Sequence, residues 1–425
     1  MLCPNCFLQS FNGVKCATCG YEMKDGPSIE DLKLYYRLQK RYIVGRAIGA
    51  GGFAITYVAY DTVTDRKVCI KEYFPMGLAV RSANGISVQT TRQNRVEEFE
   101  NGISHFIEEA HIISQMNNIA GVVSVTDCFE ENGTAYYVME YLDGVPLRQL
   151  VPEHGMELRA ASGIILQAGR TLNLVHREKG YLHRDVSPEN IMVLLSGRVV
   201  IIDFGSARNF FMSNSNYTIT LKHGFAPIEQ YSSADIQGPF TDVYGLASTY
   251  YYVLTGKVLP RATDRLTGVA YEPLSVLRPD VGEEISEIVD KALMLQPSER
   301  TQTVGEFVSA LESVVSRRSC EEGFVYVSVS IDGAVQERYK IEEDKEILVG
   351  RSPKCDVVFP GCENVSKVHC KLMFDREKKQ FCLEDCSTNG TYINYVKMDK
   401  DTKYYVGSQD LIILANTRYR LILGE

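Results

Sequence analysis

The periodicity of the chain changes once, at Arg317-Arg318, and that change rules out a single fold for the whole sequence. From about Tyr42 to Ser316, β-rich runs such as 199–202 alternate with long helical patterns such as 285–295 and 304–315, the layout of a mixed α/β or α+β domain. Beyond it, Phe324–Ile331 alternates polar with apolar residues and ends on Asp332-Gly333, a good hairpin turn. Short strands divided by turn residues then continue to Glu425 without a helical period, which fits an all-β sandwich over 324–425. At ordinary domain sizes, 425 residues imply about two to four domains.

Composition narrows the function classes. Apolar residues make up 45% and charged residues 23%, as in a folded chain rather than a disordered one. Lys plus Arg (45) against Asp plus Glu (54) leaves −9, which argues against a nucleic-acid partner. No apolar run approaches the roughly 18 residues of a membrane span, so no membrane partner is expected. Met1-Leu2-Cys3-Pro4 has neither a basic region nor an apolar core, so no secretory signal is read there. With twelve cysteines, the expected setting is a reducing cytoplasm with metal ligands and free thiols.

Four of those cysteines fall in the first twenty residues, as Cys3-x-x-Cys6 and Cys16-x-x-Cys19. Two such knuckles can place four thiolates tetrahedrally around Zn²⁺. So short a piece cannot bury a core, so metal binding itself would supply its folding energy. The segment resembles a small zinc ribbon, which implies a structural rather than a catalytic metal. It is assigned to 1–22, with a linker over 23–40.

The middle segment carries the chemistry. Gly49, Gly51 and Gly52 lie between β-type residues, where glycine lets a backbone fold tightly over phosphates. Val68-Cys69-Ile70-Lys71 ends a strand in lysine, Tyr181-Leu182-His183-Arg184-Asp185 precedes Pro188-Glu189-Asn190, and Val200-Ile201-Ile202 runs into Asp203-Phe204-Gly205. In this order and at these distances the elements resemble the protein kinase family, over 41–316. The resemblance implies a bilobal α+β fold using ATP and Mg²⁺. Lys71 would contact the α- and β-phosphates and pair with a glutamate of the next helix, Glu109 in the better register and Glu108 its neighbour. Asp185 would receive the substrate hydroxyl proton, and Asn190 and Asp203 would hold Mg²⁺. Met139 fits the gatekeeper position, with the backbone of Glu140 and Leu142 at the adenine edge. Asp242 resembles the aspartate that anchors the catalytic loop, and Glu229 is expected to pair with Arg300.

Departures from the family pattern carry information. Ala54 replaces the third glycine of the phosphate loop. The stretch 74–98, containing Arg81, Arg92 and Arg95, is read as an inserted surface loop whose basic residues could sit over the nucleotide mouth. Where the family's Ser/Thr members carry lysine two residues after the aspartate, this chain has Ser187; where they carry threonine before the Ala-Pro-x-Glu segment, it has Lys222. One expectation is a positional exchange, with Lys222 reaching back to Asp185 and the γ-phosphate; the other is a Lys222 that faces solvent. Thr218 and Thr220, ahead of Ser213, Ser215 and Tyr217, are the expected activation-loop phosphosites.

In the last segment, Val349-Gly350-Arg351-Ser352, Val365-Ser366-Lys367-Val368-His369 and Asp385-Cys386-Ser387-Thr388-Asn389-Gly390-Thr391 resemble the forkhead-associated (FHA) domain. The resemblance implies a phosphothreonine-peptide reader. Arg351 and Ser366 would bond the phosphate, Lys367 would add charge, Thr388 and Asn389 would hold the peptide backbone, and His369 would brace the loop. The five cysteines of this segment are expected to be free thiols, with a second zinc site conceivable. The expected whole, joined across a linker at 317–323, is a Ser/Thr protein kinase acting on protein substrates. Its reader would bind phosphothreonine partners or the chain's own activation loop. The alternative is a pseudokinase scaffold in which the reader alone does the work.

Overall fold

Residues 42–73 form three antiparallel strands, β1 (Tyr42–Ala50), β2 (Ala54–Asp61) and β3 (Arg66–Tyr73). The structure is a computed structural model that describes residues 1–23, 28–91, 93–204, 208–209, 221–232, 236–321, 324–332, 334–394, 396–407, 410–416 and 418–424. The chain then enters helix α1 (Val96–Ser114) and returns through β4 (Val125–Glu131) and β5 (Thr134–Glu140). The resulting sheet runs in the order Arg37–Leu38, β1, β2, β3, β5, β4. Phe99, Phe106, Ala110 and Ile113 recur at helical spacing and give α1 one buried stripe. That stripe meets the sheet through the Phe106 ring, 4.8 Å from that of Tyr137 on β5 and 5.7 Å from that of Tyr73 on β3.

The helical half is built on α2 (Leu158–Lys179) and α3 (Pro239–Thr255). Every residue from 241 to 255 is buried, so α3 is a central helix without a solvent face. α2 stops at Gly180, whose φ of +67° is the left-handed cap that glycine adopts without penalty. Glu229 and Arg300 form a buried two-pronged pair at 2.6 and 3.1 Å. Arg300 spends its remaining donors on the carbonyls of Phe240, Met294 and Leu295.

Two stretches of the first unit differ from the sequence reading. The 74–98 insertion is not simply a surface loop: Ala79–Arg81 pairs with Val88–Thr90 as a short hairpin, and α1 has begun by Val96. Arg81 does not face a nucleotide. It is buried and grips Glu72 with its two terminal guanidinium nitrogens, at 2.7 and 2.5 Å. The reason is strand alternation: Glu72 points to the sheet face opposite its neighbour Lys71, and a carboxylate buried there needs a cation. The hydroxyls of Tyr57 and Tyr136 donate to the same carboxylate at 2.8 and 2.7 Å. Arg95 pairs instead with Glu98, and Arg92 lies outside the described residues. The supposed linker 23–40 is also anchored where it is described. Leu32 is buried with its N–H bonded to the Tyr57 hydroxyl at 2.9 Å, and the Glu30 carbonyl accepts from Arg81.

By its contacts the chain divides into two units, Met1–Ser309 and Ala310–Glu425. The boundary falls within the long helix α4 (Val304–Glu321), which runs on into the stretch read as the 317–323 linker. The second unit contains two sheets. One has the order Ala334–Glu342, Phe324–Ile331, Tyr419–Gly424, Ile412–Leu414, Thr391–Ile393, Val396–Lys397. The other runs Val357–Val358, Ile347–Gly350, Cys370–Asp375, Gln380–Asp385, Lys403–Val406. Alternate residues of both, including Val327, Val329, Val349, Leu372, Leu383 and Leu421, form a single core. Among the described residues no helix is long and apolar enough to cross a membrane.

Removing one partner of the buried Glu72–Arg81 pair leaves an uncompensated charge. Arg81→Ala is therefore expected to destabilise the first unit by about 3–5 kcal/mol, read as a shift in its denaturant midpoint.

Candidate functional site

Strand alternation turns Lys71 to the side of the sheet on which α1 packs. Its Nζ lies 3.1 Å from Glu109 Oε1 and 3.1 Å from Asp203 Oδ1. Of the two neighbouring glutamates, Glu109 makes this contact. Tyr137, directly across the ladder from Lys71, donates its hydroxyl to the same Glu109 oxygen at 2.9 Å. Burial works against the Lys71 charge, but Asp203 and Glu109 outweigh it and hold the ammonium well above its ordinary range. Lys71 in turn draws Asp203 down to about 2. Asp203 has φ +62°, a left-handed backbone of the kind concentrated at functional sites.

Asp242 organises the loop below. Its carboxylate accepts the backbone N–H groups of His183 and Arg184 at 2.8 and 2.7 Å and meets His176 Nε2 at 2.7 Å. Burial alone would raise this carboxyl, yet those partners hold it below its ordinary range. The loop then takes Arg184 through φ +66°, and the His183 ring rests 4.5 Å from that of Phe204. Asn190 Nδ2 donates to both the carbonyl and the Oδ2 of Asp185, each at 2.8 Å.

Lys222 is turned inward. Its Nζ lies 3.0 Å from Asp185 Oδ2 and donates to the Ser187 hydroxyl at 2.9 Å. A tight turn aims it, the Lys222 carbonyl accepting the N–H groups of Phe225 and Ala226 at 3.1 Å each. Burial raises the Asp185 carboxyl and Lys222 opposes that rise.

A Cβ at Gly49 or Gly52 would meet nothing within 4 Å, so the loop between β1 and β2 leaves open space at both positions. Met139 sits across the ladder from Cys69, Glu140 donates its N–H to the Ser124 carbonyl at 3.0 Å, and the Leu142 carbonyl accepts from Gly144 at 3.0 Å. Gly205, Ser213, Ser215, Tyr217, Thr218 and Thr220 lie outside the described residues.

The sulfurs of Cys3, Cys6, Cys16 and Cys19 all lie within 4.8 Å of one another, with Cys3 to Cys19 at 3.7 Å and Cys6 to Cys16 at 3.6 Å. Four sulfurs each about 2.3 Å from one Zn²⁺ would be spaced at close to these distances. Burial pushes Cys6 up to about 12, whereas a hydrogen bond with Ser10 holds Cys16 down at about 6. A cation is what would let all four ionise together. The C-terminal cysteines form no comparable four-sulfur group among the described residues.

In the second unit Arg351, Lys367, Thr388 and Asn389 are exposed around Ser366. The Arg351 N–H donates to the Ser366 carbonyl at 3.0 Å, the Thr388 N–H donates to Ser366 Oγ at 3.1 Å, and Asn389 Nδ2 donates to the Asn364 carbonyl at 2.7 Å. His369 is buried behind them. Its Nδ1 accepts the Ser366 N–H at 3.1 Å, and Nε2 faces the Gly390 carbonyl at 3.2 Å, which fits a neutral ring protonated at Nε2. Gly350 lets the loop close, since a Cβ there would collide with the Lys367 carbonyl.

Sequence reasoning missed Tyr137, whose partner Glu109 lies 28 positions away, and misread Arg81, which also holds the Glu30 carbonyl 51 positions away; no local spacing marks either contact.

Residues 42–309 match the protein kinase domain and residues 347–415 the FHA domain. Serine/threonine-protein kinase PknA of Mycobacterium tuberculosis is 31% identical over 294 residues, covering 66% of this chain and 63% of the relative. A probable serine/threonine-protein kinase of Clostridium acetobutylicum is 27% identical over 288 residues, covering 65% and 40%. The chain thus matches between 40% and 63% of the length of these relatives. A solved chain described as PpkA-294 in its apo form is 34% identical with a TM-score of 0.58, covering 66% of this chain and 99% of that one.

Burial holds the His369 pKa below its usual 6.5. Between the lowered folded value and 6.5 the unfolded chain binds a proton that the folded chain refuses, so stability rises with pH there. Unfolding of the second unit is expected at lower denaturant as pH falls below about 6.5, and His369→Gln should flatten that part of the profile.

Proposed function

Because the chain belongs to the protein kinase family, with an FHA domain behind the kinase domain, we propose that it is an ATP- and Mg²⁺-dependent serine/threonine protein kinase. The observation that carries this is Lys71 Nζ held between Glu109 and Asp203, the arrangement that phosphoryl transfer by this family requires. Gly49, Gly51 and Gly52 leave room over the phosphates, and the backbone at Glu140 and Leu142, beside Met139, takes the adenine edge. Asn190 and Asp203 are the residues to hold Mg²⁺, which when bound neutralises phosphate charge. Asn190 commits its amide nitrogen to Asp185, leaving its oxygen as the ligand atom. Asp185 receives the proton of the attacking hydroxyl.

Lys222 replaces the lysine that Ser187 displaces. Its ammonium reaches Asp185 and Ser187 from the segment after the activation loop rather than from the catalytic loop, and supplies the positive charge for the γ-phosphoryl group. Cys3, Cys6, Cys16 and Cys19 hold a structural Zn²⁺. Arg351, Ser366 and Lys367 bind phosphothreonine, with Thr388 and Asn389 on the peptide backbone, recruiting phosphorylated partners or the chain's own activation loop. The free thiols described suit a reducing cytoplasm.

Incubation with ATP and Mg²⁺ is expected to yield phosphothreonine at Thr218 or Thr220, mapped by mass spectrometry, in the parent but not in Asp203→Ala. A parent that binds ATP and gains no phosphate would make the chain a scaffold whose FHA domain alone acts.

Lys222→Ala is expected to lower turnover about 10²–10³-fold, as for other lost transition-state donors. The double exchange Ser187→Lys with Lys222→Thr should recover much of it. Near-full turnover in Lys222→Ala would remove Lys222 from the mechanism.

A further inference from the structure

The four-cysteine ribbon is joined to β1 by contacts that a free-standing metal module does not need. The ladder between β1 and β2 is irregular between Val44 and Ala47. The Arg46 N–H, within that irregularity, donates to the Pro4 carbonyl at 2.9 Å, inside the first Cys-x-x-Cys knuckle. Arg46 Nε donates to Asn5 Oδ1 at 2.8 Å, and the guanidinium lies 5.3 Å from the Tyr21 ring centre. Asn5 turns its other groups to the cluster, Nδ2 donating to Cys19 Sγ at 3.6 Å and the backbone N–H to Cys3 Sγ at 3.4 Å. One residue therefore touches two of the four sulfurs and the strand, through its backbone N–H and its side-chain amide.

Shape agrees with the polar contacts. A Cβ on Gly45 would collide with the Pro4 carbonyl and stand 2.7 Å from the Phe7 ring, so only glycine admits the ribbon this close. The Phe7 ring packs 5.6 Å from that of Tyr60 on β2. The ribbon's own core is little more than Cys3, Phe11 and Cys16, with Cys6, Tyr21 and Met23 against it, too small to hold Pro4 and Asn5 without a metal. Arg46 lies three residues before Gly49, the first glycine of the phosphate loop.

We propose that the metal-loaded ribbon braces the nucleotide-binding strand, so that Zn²⁺ at Cys3, Cys6, Cys16 and Cys19 sets the affinity of the chain for nucleotide. This rests on the kinase and zinc assignments above. With the sulfurs tied to one ion, Asn5 and Pro4 keep their positions and hold Arg46. Loss of the metal frees the knuckle, takes the partners of Arg46 away and loosens the strand leading into the phosphate loop. Groups that orient metal ligands from outside the coordination sphere typically change metal affinity or activity by about 10–100-fold when removed, so Asn5 and the ion hold each other in place.

The test uses the full chain and a fluorescent ADP analogue without Mg²⁺, so that chelation reports only on the ribbon. Zinc content is measured separately. The expected result is one zinc per chain, a loss of nucleotide affinity after stripping, and recovery when zinc is restored. Arg46→Ala keeps all four cysteines and should retain zinc, bind nucleotide as weakly as the stripped parent and respond little to stripping. Amide exchange over 44–50 should speed up in both. Equal affinity in stripped and loaded chains would overturn the proposal, as would a chain that takes up no zinc. A zinc-loaded chain that binds no nucleotide in any form would overturn the kinase assignment and this proposal with it, an outcome distinct from a failed coupling.

Discussion

One ammonium ties the first unit together where it matters. Lys71 Nζ is the meeting point of β3, of α1 through Glu109 and of the segment after Val199–Ile201 through Asp203. None of these elements adjoins the others in sequence, and each carries charge that burial would penalise if it stood alone. The three charges together form a stable set, because each carboxylate offsets the cost of burying the cation. Tyr137 adds a neutral donor to Glu109, so the helix is fixed to the sheet by a hydrogen bond as well as by charge.

The same solution recurs away from the cleft. Glu72 with Arg81 and Glu229 with Arg300 are buried pairs whose remaining donors and acceptors are used by tyrosine hydroxyls, a threonine hydroxyl and backbone carbonyls. Such pairs seldom add net stability over apolar packing, but breaking one is costly. Arg300 reaches Glu229 across 71 positions, and Arg81, nine positions from Glu72, also reaches the Glu30 carbonyl 51 positions away. Arg81 fastens the inserted hairpin and the Glu30 carbonyl to the back of the sheet, and Arg300 fastens the Ala226-Pro227-Ile228-Glu229 turn beneath α3. Their contribution is to the choice of one arrangement.

Lys222 places the charge near Asp185 on a different stretch of chain from Asp185 itself. Ser187 and Lys222 are in contact, so a hydroxyl and an ammonium stand side by side next to Asp185. An ammonium borne by the segment following the activation loop depends on the turn through Gly224 to reach the site.

Much of this was legible in order and spacing. Lys71, Asp185, Asn190 and Asp203 each lie in a short local pattern, and the strand or turn that carries each is set by its neighbours. The cysteine knuckles and the loops bearing Arg351 and Ser366 are legible for the same reason. Glu109 over Glu108 follows from helical phase once the strand partner is known. Arg81 shows where such reading stops. Its charge suggested solvent or phosphate, and only the sheet, by turning Glu72 to its far face, gave it a buried partner. Asn5 and Arg46, 41 positions apart, are in the same situation. Sequence alone determined the residue types, their spacing and the identity of the kinase and FHA domains, because those depend on near neighbours. Tertiary structure decided which charges meet, because a buried group takes its partner from whatever the fold brings within about 3 Å of it.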